Sequence, residues 1–181
     1  MTYARYGHTA VILNNGKILV SGGYSMNILF NSAELYDPST RVWTVTGNMS
    51  YGRYVHTTSL LGNEKVLVTG GFNMNGILNT AELYDSSSGL CRIIGNMSYG
   101  RKYHAASILQ NGYVLITGGY GDGWLDSAEL YNPSTELWIN TDNMKDGRYM
   151  HTSCILTNGS VLVSGGEYRY TFLRRSQIYQ L

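Results

Sequence analysis

Apolar and polar residues alternate along this chain in short runs, and nowhere do they recur at the three-to-four spacing of an amphipathic helix. Residues 8–13 (His-Thr-Ala-Val-Ile-Leu), 17–23 (Lys-Ile-Leu-Val-Ser-Gly-Gly), 33–36 (Ala-Glu-Leu-Tyr) and a short segment around Trp43 read as four successive strands, a to d. Asn15-Gly16, Asn111-Gly112 and Asn158-Gly159 stand between a and b, where their tolerance of positive φ suits a tight hairpin. Asp37-Pro38-Ser39-Thr40 and Asn132-Pro133-Ser134-Thr135 mark turns between c and d.

The pattern repeats. Met-x-x-x-Arg-x-x-His occurs as Met1/Arg5/His8, Met49/Arg53/His56, Met97/Arg101/His104 and Met144/Arg148/His151, in steps of 48, 48 and 47 residues. A Gly-Gly pair follows each His, at 22–23, 70–71, 118–119 and 165–166. Ala-Glu-Leu-Tyr at 33–36, 81–84 and 128–131 is echoed by Ser-Gln-Ile-Tyr at 176–179, and Trp43, Cys91 and Trp138 lie seven residues beyond the Tyr. A period of this length signals stacked repeats, and four antiparallel strands per unit predict a propeller blade. The whole chain, 1–181, reads as one domain with repeats 1–48, 49–96, 97–143 and 144–181.

Double glycine after an apolar strand, then Tyr, then Trp, at this period, resembles the kelch repeat over essentially the whole chain. The second repeat departs by Cys91 in place of Trp, and the last by Gln177 in place of Glu. The resemblance implies an all-β fold, a kelch-type β-propeller with three complete four-stranded blades plus a fourth lacking its last strand, part of a larger ring. Gly-Gly removes Cβ atoms where a neighbouring backbone approaches, and the Tyr and Trp offer surfaces that one blade alone cannot bury, so blades must stack. An unfinished ring leaves three readings open: a fragment, a homodimer whose halves complete one ring, or a tight four-blade ring left open at its edge.

With 43% hydrophobic and 14% charged residues the chain reads as compact, and a net charge of +1 gives no bulk attraction to nucleic acid or membrane. The apolar runs are strand-sized, far short of about 18 to 20 residues for a membrane helix. Cys91 and Cys154 fall at different repeat positions, which argues against a disulfide framework and leaves both as packing residues. Histidines at one repeat position invite a metal, but a residue demanded by every blade reads as structural, so no metal or other cofactor is expected. Copper oxidases related to galactose oxidase also carry kelch-like blades; no matching Tyr/His/Cys set, Ser/His/Asp set or separate carboxylate pair stands out, and a non-catalytic scaffold is expected.

Strand reversal puts the d-a and b-c connections on one face of the propeller. That face holds Arg5, Arg53, Arg101, Lys102, Lys145, Arg148, Arg169, Arg174 and Arg175, nine of the thirteen basic residues, against Asp122, Asp126, Asp142, Asp146 and Glu167. This excess would steer an acidic peptide or protein partner. Arg5, Arg53, Arg101 and Arg148 match the position just before strand a at which kelch substrate adaptors of ubiquitin ligases look similar; a structural alternative pairs them with Glu34, Glu82 and Glu129. The b-c segments differ most between repeats, and from them Trp124, Tyr168 and Tyr170 are the contact candidates. Two functions are carried forward: a protein-interaction scaffold, and a carbohydrate-binding or galactose-oxidase-like relative with its chemistry outside this chain. Self-association to complete the ring accompanies the first.

Overall fold

The computed structural model describes residues 1–180; Leu181, the last residue of the fourth repeat, lies outside them. The first blade comprises β1 (Thr9–Ile12), β2 (Ile18–Ser21), β5 (Ala33–Asp37) and β6 (Val42–Thr46), with a small hairpin of β3 (Tyr24–Ser25) and β4 (Ile28–Leu29) in the b-c connection. The second repeats this with β7 (Thr57–Leu60), β8 (Lys65–Thr69), β11 (Ala81–Asp85) and β12 (Leu90–Ile93), and the hairpin β9 (Phe72–Asn73) and β10 (Gly76–Ile77). The third has β13 (Ala105–Ile108), β14 (Val114–Thr117), β17 (Ala128–Asn132) and β18 (Leu137–Thr141), with β15 (Tyr120–Gly121) and β16 (Gly123–Trp124). The fourth has β19 (Thr152–Ile155), β20 (Val161–Ser164) and β23 (Ser176–Tyr179), with β21 (Glu167–Tyr168) and β22 (Thr171–Phe172). Each large sheet is an antiparallel meander in chain order, four-stranded in the first three blades and three-stranded in the last. The expected all-β propeller blades are therefore present, and the last shows three strands among the described residues.

Burial follows from position in the stack. First strands of adjacent blades (β1 and β7, β7 and β13, β13 and β19) neighbour one another and line the inside. Second strands meet neighbours on both faces, so they are apolar without alternation: Val66, Leu67 and Val68 are at most 1% exposed. Fourth strands lie outermost, leaving Val45, Leu90 and Leu137 exposed. Three apolar clusters fill the three junctions. Leu13, Leu19 and Ala33 of the first blade meet Val66, Val68 and Tyr84 of the second. Leu61, Leu67 and Leu83 meet Val114, Ile116 and Tyr131. Leu109, Leu115 and Ala128 meet Val161, Val163 and Tyr179.

The turns use the chemistry read from the sequence. Gly16, Gly112 and Gly159 all have positive φ. Asp37 Oδ1 takes the Ser39 amide at 2.9 Å and its hydroxyl at 2.6 Å, and Asn132 does the same for Ser134. The four small b-c hairpins went unread, because two-residue strands carry no periodicity.

Candidate functional site

The repeated arginines lie inside the blades. Arg53 Nη1 donates to the carbonyls of Gly70 and Thr80 at 2.9 and 3.0 Å, and Nη2 to Thr80 Oγ1 at 3.2 Å and Glu82 Oε1 at 2.7 Å. Arg5 and Arg101 make the same set, ending on Glu34 and Glu129 at 2.7 Å. Each guanidinium thus ties the end of strand b to the start of strand c of its own blade, and Arg53 and Arg101 are fully buried. Burial, opposed by the paired carboxylate, holds both guanidinium groups below the ordinary arginine range. Arg148 is buried too, but Gln177 stands where its glutamate would be. It keeps only the carbonyls of Gly165 and Arg175, at 3.0 and 3.3 Å, with Asp146 at 3.9 Å. Read from sequence as candidates for a binding surface, Arg5, Arg53, Arg101 and Arg148 are placed instead as internal cross-links.

The histidines and glycines join one blade to the next. His56 Nε2 lies 2.9 Å from Thr9 Oγ1, His104 Nε2 2.8 Å from Thr57 Oγ1, and His151 Nε2 3.0 Å from Thr117 Oγ1. Burial, reinforced by the neighbouring arginine charge, pulls His56 down to about 3 and His151 to about 4, and His104 well below its usual value. Gly23, Gly71 and Gly119 donate their amides across the junction to Arg53, Arg101 and Arg148 carbonyls at 2.8–2.9 Å. The preceding glycine must be bare: a Cβ on Gly70, at φ +61°, would lie 2.5 Å from the Arg101 carbonyl oxygen. Among the described residues no group of three or more His, Cys, Asp or Glu gathers as metal ligands would.

A second seam runs around the d-a side. Val55 donates its amide to Gly7, Tyr103 to Val55 and Met150 to Tyr103, at 2.8, 3.1 and 2.9 Å. All four residues have φ between +52° and +64°, a region that a β-branched Val occupies only under constraint. This belt turns the residue after each arginine outward, where it bridges the small hairpin: Tyr6 to Tyr24, Tyr54 to Phe72, Lys102 to Tyr120 and Tyr149 to Glu167.

The result is an arc of aromatic rings across four blades. Tyr6, Tyr24, Tyr54 and Phe72 follow one another at centroid distances of 5.6–5.7 Å. Lys102 Nζ sits over Phe72, Tyr120 and Tyr103, at 4.8, 5.6 and 5.9 Å, linking this group to the next. Tyr149, Tyr120 and Trp124 continue at 5.8 Å, and Trp124 meets Tyr168 at 6.1 Å and Tyr170 at 5.2 Å. Trp124, Tyr168 and Tyr170 are thus brought together at one end of the arc. Tyr170 is 86% exposed and held at φ +64° at the hairpin tip, beside Arg169 at +48°. Trp124 Nε1 is buried with no hydrogen-bond acceptor among the described residues. Sequence reading missed Tyr6, Tyr54 and Tyr149 and gave Lys102 only as a charge of this face; the recurrent Arg-Tyr, Arg-Tyr, Arg-Lys, Arg-Tyr was the available signal.

Charge on this face changes with the arginines inside. Lys102, Lys145, Arg169, Arg174 and Arg175 remain, against Asp122, Asp126, Asp142, Asp146 and Glu167. Arg175 is in turn paired with Asp146 at 2.8 Å. The basic excess seen in the sequence is thus absorbed by burial.

Stacked four-stranded meanders joined through Gly-Gly, Arg and His define a kelch-type β-propeller protein. Residues 1–172 match the KLHDC2/KLHL20/DRC7 Kelch-repeats domain, and the chain belongs to that family. A comparison with curated proteins found no match. Kelch-repeat domains generally mediate protein–protein interaction and are typically non-enzymatic.

Proposed function

We propose that this chain is a protein-interaction scaffold whose d-a and b-c face takes a protein or peptide partner along the aromatic arc. The arc itself carries the reading: rings held tilted or edge to face by the blades give a broad, rigid, amphipathic surface at little ordering cost to the protein. Trp124, Tyr168 and Tyr170 form the contact end, where a strained hairpin tip presents Tyr170 to solvent. An acidic side chain would find Arg169 and Arg174 there, while Lys102, Lys145 and Arg175 on the rest of the face are outnumbered by its five carboxylates. A further partner is a second copy of the chain, whose blades would complete the ring.

Peptides selected from a displayed random library against the chain test this reading. Selected peptides should lose at least about tenfold in affinity on Tyr170→Gly, while unfolding stability changes by less than about 0.5 kcal/mol, as for an exposed residue. Undiminished binding would remove the arc from the proposal. Aspartate and glutamate enrichment with affinity that falls as salt rises would support an acidic partner. Binding on a glycan array that is lost with Tyr170→Gly, with no peptide selected, would favour the carbohydrate reading instead.

A further inference from the structure

The two outward faces of the blade stack hold the two unmatched halves of the junction that joins the blades internally. Gly166 occupies the place of Gly23, Gly71 and Gly119, yet its amide takes no carbonyl among the described residues, and a Cβ on Gly165 would meet only the Leu173 carbonyl at 4.0 Å. At the other end of the stack, among the described residues, the Arg5 carbonyl receives no such amide, and His8 makes no counterpart of the hydroxyl contact that His56 Nε2 makes with Thr9. The circumferential belt is likewise open, the Gly7 amide at one end and the Met150 carbonyl at the other having no backbone partner among the described residues.

The apolar residues match in the same way. Leu83 is 2% exposed, but Ile178, its counterpart on the fourth blade, is 56% exposed. On the first blade Ile18 and Tyr36 are half-buried, where Val66 and Tyr84 of the second are at most 1% exposed. Both faces therefore repeat the chemistry of an interface already formed three times within the chain.

The geometry points to a head-to-tail junction in which the fourth blade of one copy takes the first blade of a second copy. This rests on the self-association reading above and specifies its surface. Gly166 would donate to the second copy's Arg5 carbonyl, the second copy's Gly7 to Met150, and His8 would meet Thr152 and Ser164, as His56 meets Thr9 and Ser21. A heterologous contact closes into a ring or runs on as a filament; two copies in a ring cover all four open faces, so a dimer is expected.

Light scattering on the 181-residue chain, with Ile178→Arg blocking the fourth-blade face and Ile12→Arg the first-blade face, tests the junction. Each variant alone should be monomeric. Mixed one to one they should form a dimer, because each keeps the face the other has lost, while Leu137→Arg on an outer strand should leave the assembly whole. A monomeric unmodified chain with an intact β spectrum overturns both self-association and the junction. An oligomer that survives Ile178→Arg keeps self-association but overturns this junction. A readout without substitution is Cys154, which is exposed at the position of the buried Ser59 and Ser107. Its alkylation should slow by about tenfold or more as concentration drives assembly, and an unchanged rate overturns the proposal.

Discussion

Arg53 Nη2 and Glu82 Oε1 stand 2.7 Å apart with neither side chain exposed, and the other Glu82 oxygen takes the Ser50 amide at 2.7 Å. Such a pair is costly to break, because the surviving charge stays buried and unpaired. Glu82→Ala should therefore lower stability by about 3–5 kcal/mol. Urea unfolding of the purified variant checks this; a loss below about 1 kcal/mol, the range of exposed pairs, would show that the site is wet in solution.

The fourth blade lacks this pairing. Arg148 keeps the arginine position and loses the carboxylate, while Gln177 Oε1 still accepts the Lys145 amide at 2.8 Å, as glutamate does elsewhere. Gln177→Glu should preserve that bond and add a charged acceptor for Arg148, raising stability by roughly 1–3 kcal/mol. The urea midpoint reads the effect, and a decrease would show that the fourth blade does not hold the geometry of its neighbours.

The junction histidines set an acid limit. His56 and His151 are neutral in the folded chain down to about 3 and about 4, and His104 well below its usual value, because burial opposes the charge. In the unfolded chain each gains its proton near pH 6.5. The unfolded state therefore binds more protons below about pH 6.5, and stability falls as pH drops from there toward 4. Each histidine contributes a slope of up to about 1.4 kcal/mol per pH unit. Urea midpoints at pH 7 and pH 5 should differ, and His56→Gln should shrink the difference; an equal slope in that variant would locate the acid sensitivity elsewhere.

The blades were legible because each local signal agreed with the others: strand runs, asparagine-glycine turns and a fixed period all point to one unit. Gly-Gly could be read as a close backbone approach, although the carbonyl it meets belongs to a residue about thirty positions further on. The arginines were harder. Sequence placed them just before strand a and offered both a surface and a glutamate partner; only the fold shows Arg53 reaching the Gly70 and Thr80 carbonyls.

The amino-acid sequence by itself determined the repeat, the strand order within a blade and the residues that stack one blade on another, because these depend on local periodicity and on side-chain size. The tertiary structure decided what the face presents. Burying four arginines balances its charge, and the left-handed belt brings Tyr6, Tyr54, Lys102 and Tyr149 against rings from separate hairpins. The arc exists only where blades meet, and no single repeat carries the angle at which its neighbour packs.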